Sequence, residues 1–300
     1  MPLSYPFYRL QASGYSLLAR ITRKRCFGYA AIKASLQGKS GLEFGGPSSI
    51  FSSNGLVPLY EIVDALDVCN FAGQTIWTTN GDHLRFGPRL GRRHIAEASE
   101  ASVFSDESYD FVTASHVLEH VANPLRALQE WKRILRPSGT ILLVLPHKAG
   151  TFDHRRPFTT FDHIMADFQS NTTEADLTHL EEILQLHDLV LDPPAGSPEQ
   201  FRERCLQNLS NRAMHHHVFS PELIVEIFSF LRMKVLNVAV ERPYHVIVHA
   251  KKVEAREHAE VDLWNKPFLS LVAGWRRLDP FRASNGLEKR WRARRDDPIA

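Results

Sequence analysis

Apolar residues recur along this chain with two spacings, one of a strand and one of a helix. The run 41–45, "GLEFG", predicts a short buried strand ending in glycines, "VPLYEIVDALDVCNF" a second ending near Asp67, and "RRHIAEAS" a third. "YDFVTAS" is apolar and β-prone without alternation, as expected of a strand covered on both faces. The following helix has Asn123 as N-cap, Pro124 in its first position, Leu125, Leu128, Trp131 and Leu135 along one face, and Gly139 as its left-handed stop. "TILLVLP" comes straight after as a continuous apolar strand. Strand, helix and strand joined by short connections predict a mainly parallel sheet with crossover helices, an α/β fold.

From His147 to about His217 the pattern turns polar, histidine-rich and mainly helical, which predicts an insertion. Ser220 and Pro221 then open a helix that buries Leu223, Ile224, Ile227, Phe228 and Leu231. "KVLNVAVE" and "YHVIVHAKK" close the core, and the short link at Arg242 and Pro243 makes them an antiparallel pair. The expected organisation is a helical lead over 1–39, a main domain over 40–252 that contains the 147–217 insertion, and a basic tail over 253–300.

Composition narrows the class. A chain of 300 residues with net charge +2 is not basic enough overall to imply nucleic-acid binding. Cys26, Cys69 and Cys205 are odd in number and in no metal or redox spacing, which points to a reducing cytoplasm. No apolar run reaches the roughly 20 residues that span a bilayer. The tail "WRRLDPFRASNGLEKRWRARR" mixes aromatic and basic residues suited to an anionic membrane surface, but Pro280 and Gly286 break its helix, and a solvated tail is the simpler expectation.

In an open parallel sheet the ligand lies beyond the carboxyl ends of the strands, so polar residues there are the candidates. Glu43 closes the first strand, and Gly45 and Gly46 let backbone approach a ligand without Cβ interference. Asp67 or Glu61 marks the second strand, Glu97 and Ala98 follow the third, and Ser115 and His116 end the fourth. The G-x-G-x-x-G spacing of a dinucleotide dehydrogenase is absent.

On these residues the chain resembles the class I S-adenosylmethionine-dependent methyltransferases. "GLEFGGPSS" is similar to their acidic residue and glycine-rich turn, with Pro47 and Ser49 where most members have further glycines. "DESYDFVTASHVLEHVANPLRALQEWKRILRPSGTILLVLP" is similar to their fourth strand, helix and fifth strand, and "VFSPELIVEIFSFLRMKVLNV" to their last helix and sixth strand. The likeness covers roughly 40–150 and 214–252. It implies a Rossmann-like three-layer sandwich whose seven-stranded sheet is parallel except for its last strand, with the helical insertion after strand 5. It further implies S-adenosylmethionine as cofactor, with Glu43, Gly45 and Gly46 around its methionine portion, Asp67 at the ribose, Glu97 and Ala98 at the adenine, and Ser115 among the cofactor-binding residues. "TFDHRRPFTTFDH", "DLTHLEEILQLHD" and "HHHVF" resemble a bacterial subgroup associated with polysaccharide or glycoconjugate assembly, which implies a small-molecule or glycoconjugate acceptor.

An oxygen acceptor must lose a proton, and histidine suits that task near neutral pH; His116 and His154 are the candidates. Arg155 and Arg156 could bind a phosphate or carboxylate on the acceptor. Read as one helix, "DLTHLEEILQLHD" puts Asp176, His179, Ile183 and His187 on one inward stripe, with His179 and His187 toward the acceptor. A hydrogen-bonded interior explains that stripe better than a metal, so no metal is expected. Adjacent histidines in the extended "HHHVF" point to opposite faces and make no cage. Two other classes remain open: a silent binding or scaffold protein, and a metal-dependent hydrolase built on the insertion histidines.

Overall fold

Eight strands form one sheet in the computed structural model, which describes residues 24–75, 83–86 and 89–275. They are β1 (Ser40–Phe44), β2 (Ala65–Asn70), β3 (His83–Phe86), β4 (Arg89–Ile95), β5 (Tyr109–Ser115), β6 (Leu135–Pro146), β7 (Met233–Glu241) and β8 (His245–Lys252), arranged β3-β4-β2-β1-β5-β6-β8-β7. Pairs within β4-β2-β1-β5-β6 are parallel, while β8 runs antiparallel to both β6 and β7. The seven-stranded pattern is therefore present, and β3 adds a short antiparallel edge strand beside β4.

Both faces of the sheet are covered, and alternate residues of one strand divide between them. Ile141, Leu143 and Leu145 pack on one side with Leu125, Leu128 and Trp131 of α2 (Pro124–Ile134), and with Ile224, Ile227 and Phe228 of α7 (Pro221–Phe230). Leu142 and Val144 pack on the other with Ile32 and Leu36 of α1 (Tyr29–Leu36), and with Phe51 and Leu59. The two long helices start as their sequences dictate. Asn123 Oδ1 accepts from Arg126 N at 3.1 Å, and Ser220 Oγ accepts from Leu223 N at 3.1 Å, each cap meeting an amide with no partner inside its helix. The insertion holds α3 (Phe161–Ser170), α4 (Leu180–Leu186), α5 (Pro198–Leu206) and the single turn α6 (Asn208–Asn211).

Four expectations need correction. β2 does not end at Asp67 but continues to Asn70, because Asp67 is accommodated within the strand by Arg92 N and the Tyr109 hydroxyl at 2.8 Å and His94 Nε2 at 3.3 Å. Glu61 lies in the turn before that strand, at its other end. α2 stops at Ile134, so Leu135 opens β6, and Ser138, not Gly139, takes the left-handed backbone with φ 62°. Gly139 is needed for space instead: a Cβ there would stand 2.9 Å from the carbonyl oxygens of Arg136 and Asp110. "DLTHLEEILQLHD" is helical only over Leu180–Leu186; Asp176 turns back to Thr178, and His179 and His187 flank the helix ends with different neighbours.

After β8 the chain does not leave the body at once. In α8 (Val261–Trp275), the buried Asn265 accepts from Val235 N at 2.8 Å and donates to Met233 O at 2.9 Å, satisfying backbone groups at the start of β7. The arginine-rich residues 276–300, and residues 1–23 of the lead, lie outside the described residues. All three cysteines are buried and unbridged. Among the described residues no helix is long and apolar enough to cross a membrane.

Candidate active site at the strand ends

Glu43 is wholly buried at the end of β1, and its surroundings are built around its carboxylate. The Tyr60 hydroxyl donates to Oε2 at 2.9 Å and accepts from Ser48 N at 2.6 Å, so the tyrosine ties the carboxylate to the turn that follows. Burial pushes Glu43 up to about 7, against the lowering effect of its bonds to Ser48 and Tyr60. Among the described residues Oε1 has no hydrogen-bond partner. Gly45 has φ 74°, and a Cβ there would come within 2.3 Å of Val117 Cγ2; one on Gly46 would come within 2.3 Å of the Glu43 carboxyl carbon. Both positions need glycine, and both present bare main chain. Pro47 and Ser49 are exposed, so neither replacement is packed inside the turn. Asn70 closes β2 and donates from Nδ2 to Gly46 O at 3.3 Å, joining the two strand ends.

The next strand ends complete the row. After β4, the Ala98 carbonyl accepts from Trp131 Nε1 at 3.0 Å, and Trp131 stacks on Phe44 with ring centroids 4.7 Å apart, so the packing of α2 fixes that loop against β1. Glu97 pairs with Arg212 Nη2 of the insertion at 2.5 Å. Ser115 ends β5, and His116 follows in a left-handed conformation with φ 55°, held by its own N–H to Val144 O at 2.9 Å. His116 Nε2 lies 3.1 Å from His245 Nδ1, and its Nδ1 lies 3.6 Å from Glu119 Oε1. Burial, and then the neighbouring His245 and His215, hold His116 well below the usual histidine range, so the ring is neutral at pH 7. Its side chain nevertheless remains 28% exposed, whereas that of Glu119 is 1% exposed. Burial pushes Glu119 up to about 7, and neither of its carboxylate oxygens has a hydrogen-bond partner.

The insertion locks onto this row. His216 N donates to Glu119 O at 2.8 Å, which brings His215 beside it. His215 Nδ1 lies 2.5 Å from Asp153 Oδ2, and Arg156, itself 1% exposed, donates to Asp153 Oδ1 at 3.1 Å, Glu182 Oε1 at 2.8 Å, His215 O at 2.8 Å and His216 O at 3.2 Å. Burial alone would raise Asp153, but His215 and Arg156 outweigh it and hold that carboxyl well below the usual range. Burial alone would lower His215, but Asp153 outweighs it and holds the ring above the usual histidine range.

Residues 83–143, from the edge strand to the middle of β6, match the family described as "Methyltransferase domain". Read without β3, the sheet has seven strands, and β8, the last in the chain, runs against its neighbours, as the resemblance of the sequence implies. Over residues 83–143 the chain is similar to a methyltransferase domain. Among solved structures it is similar to an S-adenosylmethionine-dependent methyltransferase from Methanosarcina mazei, at 17% identity over 74% of this chain and 97% of that one, with TM-score 0.41. It is also similar to one from Mesorhizobium loti (11%, 75% and 95%, 0.44) and one from Aquifex aeolicus (14%, 76% and 91%, 0.39). No curated protein matches.

S-adenosylmethionine is the cofactor that the resemblance of the sequence implies, and the residues at the turn fit such a group. The unpartnered Glu43 Oε1, the bare backbone at Gly45 and Gly46 and the buried Asn70 amide lie together at the ends of β1 and β2, with Pro47 turned outward. Of the residues singled out in the sequence, the fold brings Glu43, Gly45, Gly46, Glu97, Ala98, Ser115 and His116 to one end of the sheet. The remainder are held elsewhere. His154 Nε2 and Arg155 Nη2 both meet Asp188 Oδ2, at 3.0 and 2.8 Å. Arg156 is committed to the buried knot. His187 is sandwiched between Phe152 and Phe201 at 4.3 and 4.1 Å, and His179 lies beside His163. Residues not singled out include Tyr60, Asn70, Asp153, His215 and His245. The only sequence sign of Glu119 is a charge set between Leu118 and Val121, where an apolar residue would suit the packing.

Proposed function

We propose that this methyltransferase domain moves the methyl group to a hydroxyl oxygen of a small acceptor, a sugar or glycoconjugate being the favoured class, with an acceptor nitrogen as the alternative. The insertion covers the acceptor, and Glu43, Gly45, Gly46 and Asn70 hold the methionine and ribose portions of the cofactor. Asn70 takes the ribose role in place of Asp67, whose carboxylate is occupied within β2. Glu97, Ala98 and Ser115 line the adenine side. The cofactor supplies an electrophilic methyl on a positively charged sulfur.

The observation that carries this reading is His116: a neutral, partly exposed imidazole at a strand end, with a buried carboxylate and a second imidazole behind it. A hydroxyl must give up its proton as its oxygen is methylated, and His116 takes that proton. Glu119 and His245 then stabilise the resulting imidazolium and fix the ring's orientation. His154 is assigned to the insertion's interior, because Asp188 engages it. Arg155, partly exposed beside it, is the residue of that pair able to reach an anionic group on the acceptor.

Two variants test this. Gly45→Arg is expected to abolish calorimetric binding of S-adenosylhomocysteine while the far-ultraviolet dichroism of the sheet persists; retained affinity would refute the assignment of the turn. His116→Gln is expected to keep that binding but lose roughly 10²–10⁴-fold in methyl transfer to free-hydroxyl oligosaccharides. Because His116 titrates below the ordinary range, wild-type rates should be flat from pH 6.5 upward and fall only in more acidic buffer. Turnover on amine acceptors alone would replace the hydroxyl reading with the nitrogen one.

A further inference from the structure

A second group of side chains, absent from the methyl-transfer reading, converges inside the insertion. His163 and Asp167 stand one turn apart on α3, His179 immediately precedes α4, and His217 lies in the extended segment before α7. His163 Nε2 is 3.0 Å from His179 Nε2 and 3.2 Å from Asp167 Oδ2, and His217 Nε2 is 3.7 Å from the same oxygen. One ring nitrogen of each histidine lies within 4.8 Å of those of the other two.

Neutral rings satisfy this arrangement poorly, because a single Nε2 hydrogen on His163 or His179 cannot serve both contacts well. If His163 Nε2 carries its hydrogen toward Asp167, it has no lone pair for His179. If it offers a lone pair to His179, that lone pair also faces the lone pairs of the carboxylate. Asp167 Oδ2 and His217 Nδ1 are both buried without a hydrogen-bond partner. The outer atoms, by contrast, are anchored. Thr172 Oγ1 donates to Asp167 Oδ1 at 3.0 Å, and His217 Nε2 donates to Ala122 O at 3.2 Å, which leaves the unpartnered Nδ1 of that ring as its ligand atom, the kind of support that orients ligands around an ion. Nitrogens bound at about 2.0–2.1 Å to one tetrahedral ion stand about 3.3 Å apart, close to the shortest spacings here.

We propose that His163, His179, His217 and Asp167 bind one divalent transition-metal ion, zinc best suiting three imidazoles and a carboxylate. The ion clamps α3, the start of α4 and the segment before α7 together, and through Ala122 it ties them to the start of α2. The His163 side chain is 37% exposed, which gives the ion a path from solvent. Glu119, His120 and His215 also converge, but His215 is already paired with Asp153 at 2.5 Å and His120 Nδ1 faces Met214 O at 3.3 Å, so that group belongs to the strand-end site.

The test is metal binding by the full chain, prepared without a histidine tag, stripped by chelator and titrated with cobalt(II) and zinc. One ion per chain is expected, with the visible absorption of tetrahedral cobalt. His179→Ala and Asp167→Asn, each confirmed folded by circular dichroism, should weaken cobalt binding more than about 100-fold, while His120→Ala should leave it within about threefold. Absence of saturable binding would overturn the proposal. So would wild-type affinity in both ligand variants, or loss of binding in His120→Ala alone.

Discussion

In β5 and β6, Val112, Ala114, Leu143 and Leu145 face one layer while Phe111, Leu142 and Val144 face the other, and all are apolar and close to fully buried. In the insertion the buried set includes Asp153, Arg156, His187, His215, His216 and His217, beside a small apolar cluster of Leu180, Ile183, Phe201 and Met214. Transfer of apolar surface from water holds the sheet together without demanding particular partners. The insertion keeps its form only while each buried charge or ring has its partner, since an unpaired one costs several kcal/mol. Tolerance to acid and to side-chain loss should therefore differ between the two regions.

The largest expected effect is acid lability. Within the insertion, burial holds His216 at about 3 and His217 well below the usual range. The unfolded chain protonates these rings near pH 6.5 while the folded one does not, so it binds more protons and stability falls as pH drops from 6.5 toward 4. His216 alone, 1% exposed, contributes on the order of 3 kcal/mol to that loss by pH 4. Denaturant titrations across this range should show it, and exchange protection should fail in the insertion before it fails in β5 and β6. Equal loss in both would remove the distinction.

Next in size come two deletions at fully buried positions. Trp131→Ala should cost about 3–5 kcal/mol and lower the stability of the whole sheet. Arg156→Met leaves Asp153 and Glu182 without their guanidinium and should cost about 3 kcal/mol, read as faster amide exchange across 147–217 with β5 and β6 still protected. The smallest effect is Arg155→Ala. Its pair with Asp188 is 40% exposed on the arginine side, so the melting curve should move by less than about 1 kcal/mol.

The same contrast explains what could be read from the chain. The helix at Pro124 and the strand after it were legible because a cap, a proline and an apolar face agree over consecutive residues. The count of seven strands and the reversal of the last came from a resemblance, and the edge strand β3 carried no comparable signal. Asp67 misled because a carboxylate normally marks a strand's end, and the donors that admit it, Arg92, His94 and Tyr109, lie 25 to 42 residues away. The insertion was recognisable by composition, but not its pairings. Asp153 meets His215 across 62 positions, and no local periodicity records such a contact. Reading 176–187 as one helix put His179 and His187 on one stripe, whereas the short helix sends them to separate clusters.

Amide hydrogen exchange of the full chain with and without S-adenosylhomocysteine tests the account most directly. Slower exchange is expected at residues 43–46 and 48–49, at 96–98, and in the segments 147–156 and 213–219 that lock onto Glu119. A bound ligand that leaves residues 43–49 exchanging as before would place the cofactor elsewhere and contradict the assignment of the turn after β1.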